Sequence, residues 1–352
     1  MLKSFFKVSI LIITMFFTAC SMKDESVRII IPAPPEEPKI FFDVLHQGEI
    51  SFTKRNTLDA FLGEKVSVGN KNLAKPYGVA ANKNKIYVSD TAHGAVFSID
   101  EIQRKVSMIG ASASGKLSLP VGIAIGDNGK IFVADAKAAK VLVYDENENF
   151  ISSFGDNGDL NRPTGIAINT KESKIYVVDT RDHNIKVYSL EGEKLSSFGK
   201  RGIENGEFNF PTNIAIDKRN NNLVVVDTQN FRVQVFDKDG NFLRKFGKIG
   251  DRAGMFARPK GLGIDSDGNI YVADSAFNNV QVFSDEGELL IYFGGTGRNI
   301  GNFSLIAGMY IDENDRIYIV DGFNARVQVF QYVSETWKKN NPRKYLELKK
   351  TE

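Results

Sequence analysis

Six aspartates are the most regular set of possible ligands in the chain. Each ends a short apolar segment, and they are Asp90, Asp135, Asp179, Asp227, Asp274 and Asp321. A ring of carboxylates is the type of site that binds a divalent cation. One aspartate at the same strand end of every repeat is, however, also what a local turn cap produces. We therefore interpret these side chains as structural, since repetition favours a shared local role over one catalytic centre.

The segments that carry the aspartates recur about every 45 residues, a spacing typical of repeat folds. Each unit contains Pro-x-Gly-Ile-Ala, then an Asp-ending segment such as Ile-Tyr-Val-Ala-Asp, then an alternating segment such as Arg-Val-Gln-Val-Phe, and finally Phe-Gly. Asp-Gly pairs between them favour tight hairpins. Four short antiparallel strands per unit predict one propeller blade, so the chain is predicted to be an all-β, six-bladed β-propeller.

The sixth repeat lacks a fourth strand after Arg326-Val-Gln-Val-Phe-Gln-Tyr. Strand-like sequence precedes the first repeat at residues 40–45 and again at residues 57–63. Because a closed ring leaves no unpaired edge, we expect one of these segments to supply the missing outer strand. The propeller is thus predicted to span residues 40–332.

The repeat motifs resemble those of NHL-repeat proteins, and the layout resembles bacterial NHL-repeat lipoproteins of unknown function. Six-bladed propellers of similar pattern include zinc-dependent lyases, which hold the metal with several histidines. This chain has only His46, His93 and His183, and we expect these to be exposed loop residues. No catalytic residue, metal site or cofactor is predicted; a metal-dependent lyase or hydrolase that uses zinc or calcium at the channel mouth is the alternative.

Positions at which the repeats disagree are better candidates for a specific function, because varied loops on a rigid scaffold often carry binding sites. We expect these positions to share one face of the ring. Aromatic and arginine side chains are common at protein-binding hot spots. The candidate binding face contains Tyr77, His93, Arg162, Arg181, His183, Phe231, Arg258, Lys260, Phe277 and Phe323.

The N-terminus has the pattern of an export signal. Lys3 and Lys7 precede an apolar run at residues 8–17, and small residues come just before Cys20. Phe17-Thr18-Ala19-Cys20 resembles the bacterial lipobox, which implies lipidation of Cys20, although Phe17 departs from the usual aliphatic residue. Cys20 is the only cysteine, so no internal disulfide can form.

Four segments follow: a lipoprotein signal at 1–19, a Pro-rich tether at 20–39, the propeller at 40–332, and a polar, lysine-rich tail at 333–352 that is frayed or helical. Ser21 after the cysteine implies outer-membrane sorting. Once the signal is removed the charges balance, and export removes the usual RNA target of animal NHL propellers, so no nucleic acid is expected. The sequence predicts a lipid-anchored scaffold of the bacterial envelope that binds an envelope protein.

Overall fold

The computed structural model describes residues 29–33, 36–52, 71–111, 114–156 and 158–350. Within these ranges the chain forms mainly β-strands, which we number β1 to β25 in chain order. None of the helices in this part of the chain is long and apolar enough to cross a membrane. The possible closing strand at residues 57–63 lies outside the described residues, as do Cys20 and the signal segment.

Two strands and a short 3-10 helix precede the first repeat. They are β1 (Ile30–Ile31), β2 (Ile40–His46) and the 3-10 helix Glu49–Phe52. Blade 1 then contains β3 (Pro76–Asn82), β4 (Lys85–Asp90), β5 (Ala95–Asp100) and β6 (Lys105–Ile109). Blade 2 contains β7 (Pro120–Ile125), β8 (Ile131–Asp135), β9 (Lys140–Tyr144) and β10 (Phe150–Phe154).

The next three blades repeat this order. Blade 3 contains β11 (Pro163–Asn169), β12 (Lys174–Asp179), β13 (Asn184–Ser189) and β14 (Lys194–Phe198). Blade 4 contains β15 (Pro211–Ile216), β16 (Leu223–Asp227), β17 (Arg232–Phe236) and β18 (Phe242–Phe246). Blade 5 contains β19 (Pro259–Ile264), β20 (Ile270–Asp274), β21 (Asn279–Phe283) and β22 (Leu289–Gly294).

Blade 6 is completed by the N-terminal part of the chain. It contains β23 (Ile306–Ile311), β24 (Arg316–Asp321) and β25 (Arg326–Tyr332). β2 pairs antiparallel with β25, with Ile40 opposite Tyr332 and His46 opposite Val327. The prediction of a six-bladed, four-stranded antiparallel propeller closed by an N-terminal strand is confirmed, and residues 40–46 form that strand.

The Pro-x-Gly motif allows the first strands of neighbouring blades to approach closely around the channel. A Cβ atom on Gly78 would lie 2.1 Å from the carbonyl oxygen of Val121, and one on Gly122 would lie 2.0 Å from that of Thr164. Neither distance can accommodate a side chain, so these positions need glycine for space. The glycine of this motif therefore has a structural role, since it allows neighbouring blades to pack around the channel.

Hydrogen bonds between blades hold this inner ring together. Hydroxyl groups at the ends of second strands donate to carbonyl oxygens of the next blade: Ser89 Oγ to Val121 O (2.8 Å), Thr180 Oγ1 to Pro211 O (2.7 Å) and Thr228 Oγ1 to Pro259 O (2.9 Å). Aliphatic side chains from adjacent blades pack between the sheets; Val320 of blade 6, for example, shares a core with Val88 of blade 1. Each blade therefore depends on its neighbours to bury its faces.

Both ends of the chain contribute more structure than the sequence indicates. The predicted tether through residue 39 is wrong at its C-terminal end, because β1 pairs with β2 as a fifth strand of blade 6. The lysine-rich tail forms α1 (Glu335–Asn340) and α2 (Pro342–Leu348). Trp337 of α1 packs on Phe41 with ring centroids 5.3 Å apart, and Leu348 of α2 is buried in the same cluster. Of the two forms expected for the tail, frayed or helical, the structure has the helical one, and it covers the closing strand.

Candidate functional site

The six repeated aspartates are fully buried and make contacts that join loops. Asp90 accepts hydrogen bonds from the backbone amides of Ala74 and Lys75, which lead into β3, and from those of Ala92 and His93, which follow β4. Asp274 is bonded in the same way in blade 5. Such contacts are what a turn-capping role requires, and they occupy the oxygens that a metal would need.

Three of these aspartates also form ion pairs with a buried arginine or lysine side chain, which the repeat pattern alone does not reveal. Arg232 Nε donates to Asp227 at 2.8 Å, Arg326 Nε donates to Asp321 at 2.7 Å, and Lys186 Nζ lies 2.9 Å from Asp179. The guanidinium of Arg326 also donates to the carbonyl oxygens of Asn299 and Asn302 in the preceding loop. These ion pairs fix the loops of blades 3, 4 and 6 to their strands.

The expectation that the histidines are exposed is wrong for two of the three. His183, at 7 % exposed, accepts a hydrogen bond from the Phe210 amide and packs on the Phe210 ring. His46 is 2 % exposed, and its Nε2 lies 3.0 Å from Glu101 Oε1. His93 is more exposed and contacts Asp90 and Phe97. No group of three or more His, Cys, Asp or Glu side chains within the described ranges is placed to bind a metal ion.

The other candidate residues divide into exposed side chains and packed ones. Arg162, Arg181, Arg258 and Phe323 are exposed, and Phe323 is the most exposed aromatic of the candidate set at 64 %. The two remaining phenylalanines, Phe231 and Phe277, are partly buried, and Phe231 adopts a left-handed backbone conformation that ends a 3-10 turn. His183, Phe231 and Phe277 are therefore poorly available to a partner.

The first strands of the six blades enclose a cavity of about 480 Å³ along the channel. Its volume lies within the range of small-molecule sites. Tyr77 and Lys260 line one mouth, and the ammonium of Lys260 lies 5.7 Å from the centre of the Tyr77 ring. Burial lowers the pKa of Lys260, and nearby Arg258 lowers it further; burial also raises the pKa of Tyr77. The structure thus brings these two candidates together across the channel.

Asn213 is a further lining residue that the sequence reasoning missed. It takes the place of the glycine in Pro-x-Gly in blade 4, and its Oδ1 accepts a hydrogen bond from the amide of Ile214. The other blades have glycine here, at Gly78, Gly122, Gly165, Gly261 and Gly308. A comparison of the repeats could have identified Asn213, because it replaces the glycine that all other blades have directly after the variable position.

The opposite mouth of the cavity carries both acidic and basic side chains. Asp127, Asp217, Asp265 and Asp312 line it together with Lys171, Lys218 and Arg219. Burial raises the pKa of Asp265 to about 6, although Asn269 and Tyr271 donate hydrogen bonds to the carboxylate. Ser266 bonds Asp315 through both its amide and its hydroxyl, which ties the turns of blades 5 and 6 together.

Charge differs between the two faces of the ring. We call the face with the loops after the second strands and the connections between blades the loop face, and the opposite one the turn face. Exposed cations on the loop face include Lys75, Lys116, Lys137, Arg162, Arg181, Arg201, Lys248, Arg252, Arg258 and Arg298, and they outnumber the exposed acids Asp156, Glu204 and Asp251. Exposed acids on the turn face are Asp127, Glu146, Glu191, Glu193, Asp239, Asp267, Glu286, Glu288 and Glu313, and exposed cations there include Lys83, Arg104, Lys171, Lys218 and Arg219. No ion pair joins those loop-face cations to an acidic residue in the described part of the chain.

The loop face also exposes large apolar side chains. Ile203 is 70 % exposed and Ile249 is 66 % exposed, in the connections before blades 4 and 5. Phe210 and Leu305 are exposed just before the first strands of blades 4 and 6. Together with Phe323 they place apolar groups among the cations, a combination typical of binding surfaces.

Comparisons with known proteins support the fold. Residues 163–234 match a family described as a 6-bladed beta-propeller, and residues 256–283 match the NHL repeat. A search of curated protein sequences finds no match.

Three similar solved structures come from named bacteria. A protein of unknown function from Bacteroides thetaiotaomicron aligns with a TM-score of 0.60 at 15 % identity, over 82 % of this chain and 75 % of that one. An auxiliary nutrient binding protein from the same organism aligns at 0.59 and 13 % identity, over 74 % and 70 %. Virginiamycin B lyase from Staphylococcus aureus aligns at 0.54 and 14 % identity, over 73 % and 94 %. At these identities the likeness extends to the fold alone.

Proposed function

We propose that this chain, a six-bladed β-propeller of the NHL-repeat type, is a lipid-anchored binding module of the bacterial cell envelope. Its loop face docks an envelope protein that presents an acidic surface with apolar pockets. The observation that carries the proposal is the placement of unpaired cations and exposed apolar side chains on the same face. For the alternative, a metal-dependent lyase or hydrolase, the described part of the chain offers no group of three or more His, Cys, Asp or Glu side chains placed to hold the metal.

The two kinds of side chain have different roles in docking. Exposed cations such as Arg162 and Arg258 attract an acidic partner over a distance and orient it, an effect that salt weakens. Burial of Ile203, Ile249 and Phe323 in the complex supplies most of the contact energy, because removing apolar surface from water is favourable. The turn face, where exposed acids are mixed with exposed cations such as Lys83 and Lys218, attracts the same partner less strongly. A partner therefore has a reason to choose one face.

The apolar residues give a direct test of the docking face. We expect the triple variant Ile203→Ser, Ile249→Ser and Phe323→Ser to lose a stoichiometric envelope partner that the wild-type protein captures from solubilised membranes. The control is Ile102→Ser on the turn face, because Ile102 is 70 % exposed, as is Ile203. Purified partner should then bind the wild type and the control equally, and more weakly as salt is raised.

Two outcomes would contradict this docking mode. One is retention of the same partner by the triple variant. The other is binding of the wild type, but not of the triple variant, to vesicles that contain phosphatidylglycerol, since the face would then be a membrane surface. Phe231 and Phe277 are left intact, because replacing packed rings would confuse loss of binding with loss of folding.

The proposed anchor is tested separately. We expect Cys20→Ser to move the protein from the membrane fraction to the soluble fraction and to abolish labelling with a fatty-acid analogue, because the thiol is the acylated group. Separation of inner and outer membranes by density should place the wild type in the outer membrane, as Ser21 implies. Ser21→Thr, which keeps the cysteine, is the control for lipidation. An unchanged membrane fraction for the Cys20 variant would refute the anchor.

A further inference from the structure

Three polar groups near the loop-face mouth of the channel have N–H or O–H donors that make no hydrogen bond to any described residue. They are the Lys260 ammonium, the Tyr77 hydroxyl and the Asn213 amide nitrogen, and all three residues line the cavity. Neighbouring hydroxyls are already bonded: Thr164 donates to Thr212 O at 3.0 Å, and Thr212 Oγ1 lies 2.7 Å from Thr228 Oγ1. All three groups without a hydrogen bond can donate one, and the ammonium is also positively charged.

We propose that the channel binds a small organic anion whose carboxylate or phosphate contacts Lys260, Tyr77 and Asn213 and whose apolar body lies deeper in the cavity. The donors come from blades 5, 1 and 4, so they converge on the mouth from different sides. Charge-assisted hydrogen bonds to an anion are stronger than neutral ones. This inference does not depend on protein docking.

The wall of the cavity suits an apolar body. Aliphatic side chains from successive first strands line it below the mouth and are neither fully buried nor engaged in polar contacts: Ile125, Ile168, Ile216 and Ile264. With a volume of about 480 Å³, the cavity has room for a chain or ring of moderate size.

Lys260 also lacks a counter-charge. No ion pair joins it to an acidic group among the described residues, its nearest aromatic contact is Tyr77, and Arg258 lies nearby. A half-buried ammonium beside another cation is destabilised, which agrees with the lowered pKa of Lys260. A bound anion would supply the missing charge, so the site is complementary to an anion and not to a cation.

The break in the repeat supports a specific role for this mouth. In five blades the residue after the variable position is glycine, whereas blade 4 has Asn213. Tyr77 and Lys260 are likewise unlike their counterparts Val121 and Ala307. Ring construction needs none of the three side chains, because other blades form the same strand without them. Their convergence at one mouth is what a ligand site would require.

The experiment compares three ligands that share one apolar chain and differ in head group. Calorimetric titration of the purified protein with octanoate, octyl phosphate and octyltrimethylammonium, below their micelle-forming concentrations, should show binding of one or both anions and none of the cation. The stronger of the two anions identifies the head group. Equal binding of the cation, or binding of none of the three, would overturn the proposal.

Variants then locate the site. Lys260→Gln should weaken binding of the preferred anion about tenfold or more, since it removes the charged donor. Tyr77→Phe and Asn213→Gly should each weaken it less, and Asn213→Gly restores the residue of the other blades. Lys248→Gln, an exposed loop-face lysine outside the cavity, is the matched control and should bind as the wild type does. Unchanged affinity in all three channel variants would place the ligand elsewhere.

Discussion

Asp321→Ala is expected to destabilise the propeller by about 3–5 kcal/mol, the usual cost of removing one partner from a buried ion pair. The Arg326 guanidinium would keep its bonds to the carbonyls of Asn299 and Asn302 but would lose its only carboxylate. The amide of Ser304 and the side chain of Gln328 would also lose an acceptor. Urea unfolding followed by circular dichroism measures the change.

Asp135→Ala is the matched control for this prediction. Asp135 occupies the same repeat position in blade 2, but its bonds come from backbone amides, and Lys140 pairs with Asp156 instead. Its loss leaves unsatisfied amides without a buried charge, so we expect a cost of about 1–3 kcal/mol. Equal destabilisation by the two variants would show that the buried cation adds nothing to the role of the aspartate.

The repeats predict the ring well because each copy carries the same local information. Pro-x-Gly marks the first strand, the Asp-ending segment marks the second, and the steric need for Gly78 and Gly122 explains why the motif recurs. Features that occur once are harder to predict. β1 lies in a Pro-rich segment that favours an extended spacer, and α2 is held by packing of Leu348 near Phe41, a contact between distant parts of the chain.

The sequence predicted only part of the candidate site, because it shows where the repeats differ but not which distant residues contact each other. Variation among the repeats led to Tyr77 and Lys260, which do meet at the channel mouth. Loop position alone could not reveal that His183 folds onto Phe210. Nor could the net charge reveal the difference between the faces, because a sum over the chain cancels basic loops against acidic turns.

A second set of charges, which are partly buried, closes the ring at the junction of blade 6 and blade 1. Arg316 of β24 donates two hydrogen bonds to Glu101, at 2.8 and 3.0 Å, and one to Asp43 of β2 at 3.1 Å. His46, also on β2, contacts the same Glu101 carboxylate. Glu101 thus links the closing strand to both the first and the last blade, although Arg316 is 215 positions away in sequence.

The pKa of Glu101 makes this junction sensitive to acid. Burial alone would raise the pKa of the carboxyl, but hydrogen bonds from His46 and Arg316 outweigh burial and bring it down to about 2. A carboxylate with a folded-state pKa below its usual value of 4.5 stabilises the protein above that value. The stabilisation is lost as the pH falls toward the folded-state pKa.

Glu101→Gln should therefore destabilise the protein by about 2–3 kcal/mol at neutral pH, and the difference from the wild type should shrink between pH 4.5 and about 2. Urea unfolding at several pH values measures both effects, and comparing the two proteins at each pH cancels the titration of the other carboxylates. Glu146→Gln, an exposed change in the β9–β10 turn, is the control and should match the wild type throughout. A difference that stays constant down to the lowest pH would mean that Glu101 acts through packing and not through its charge.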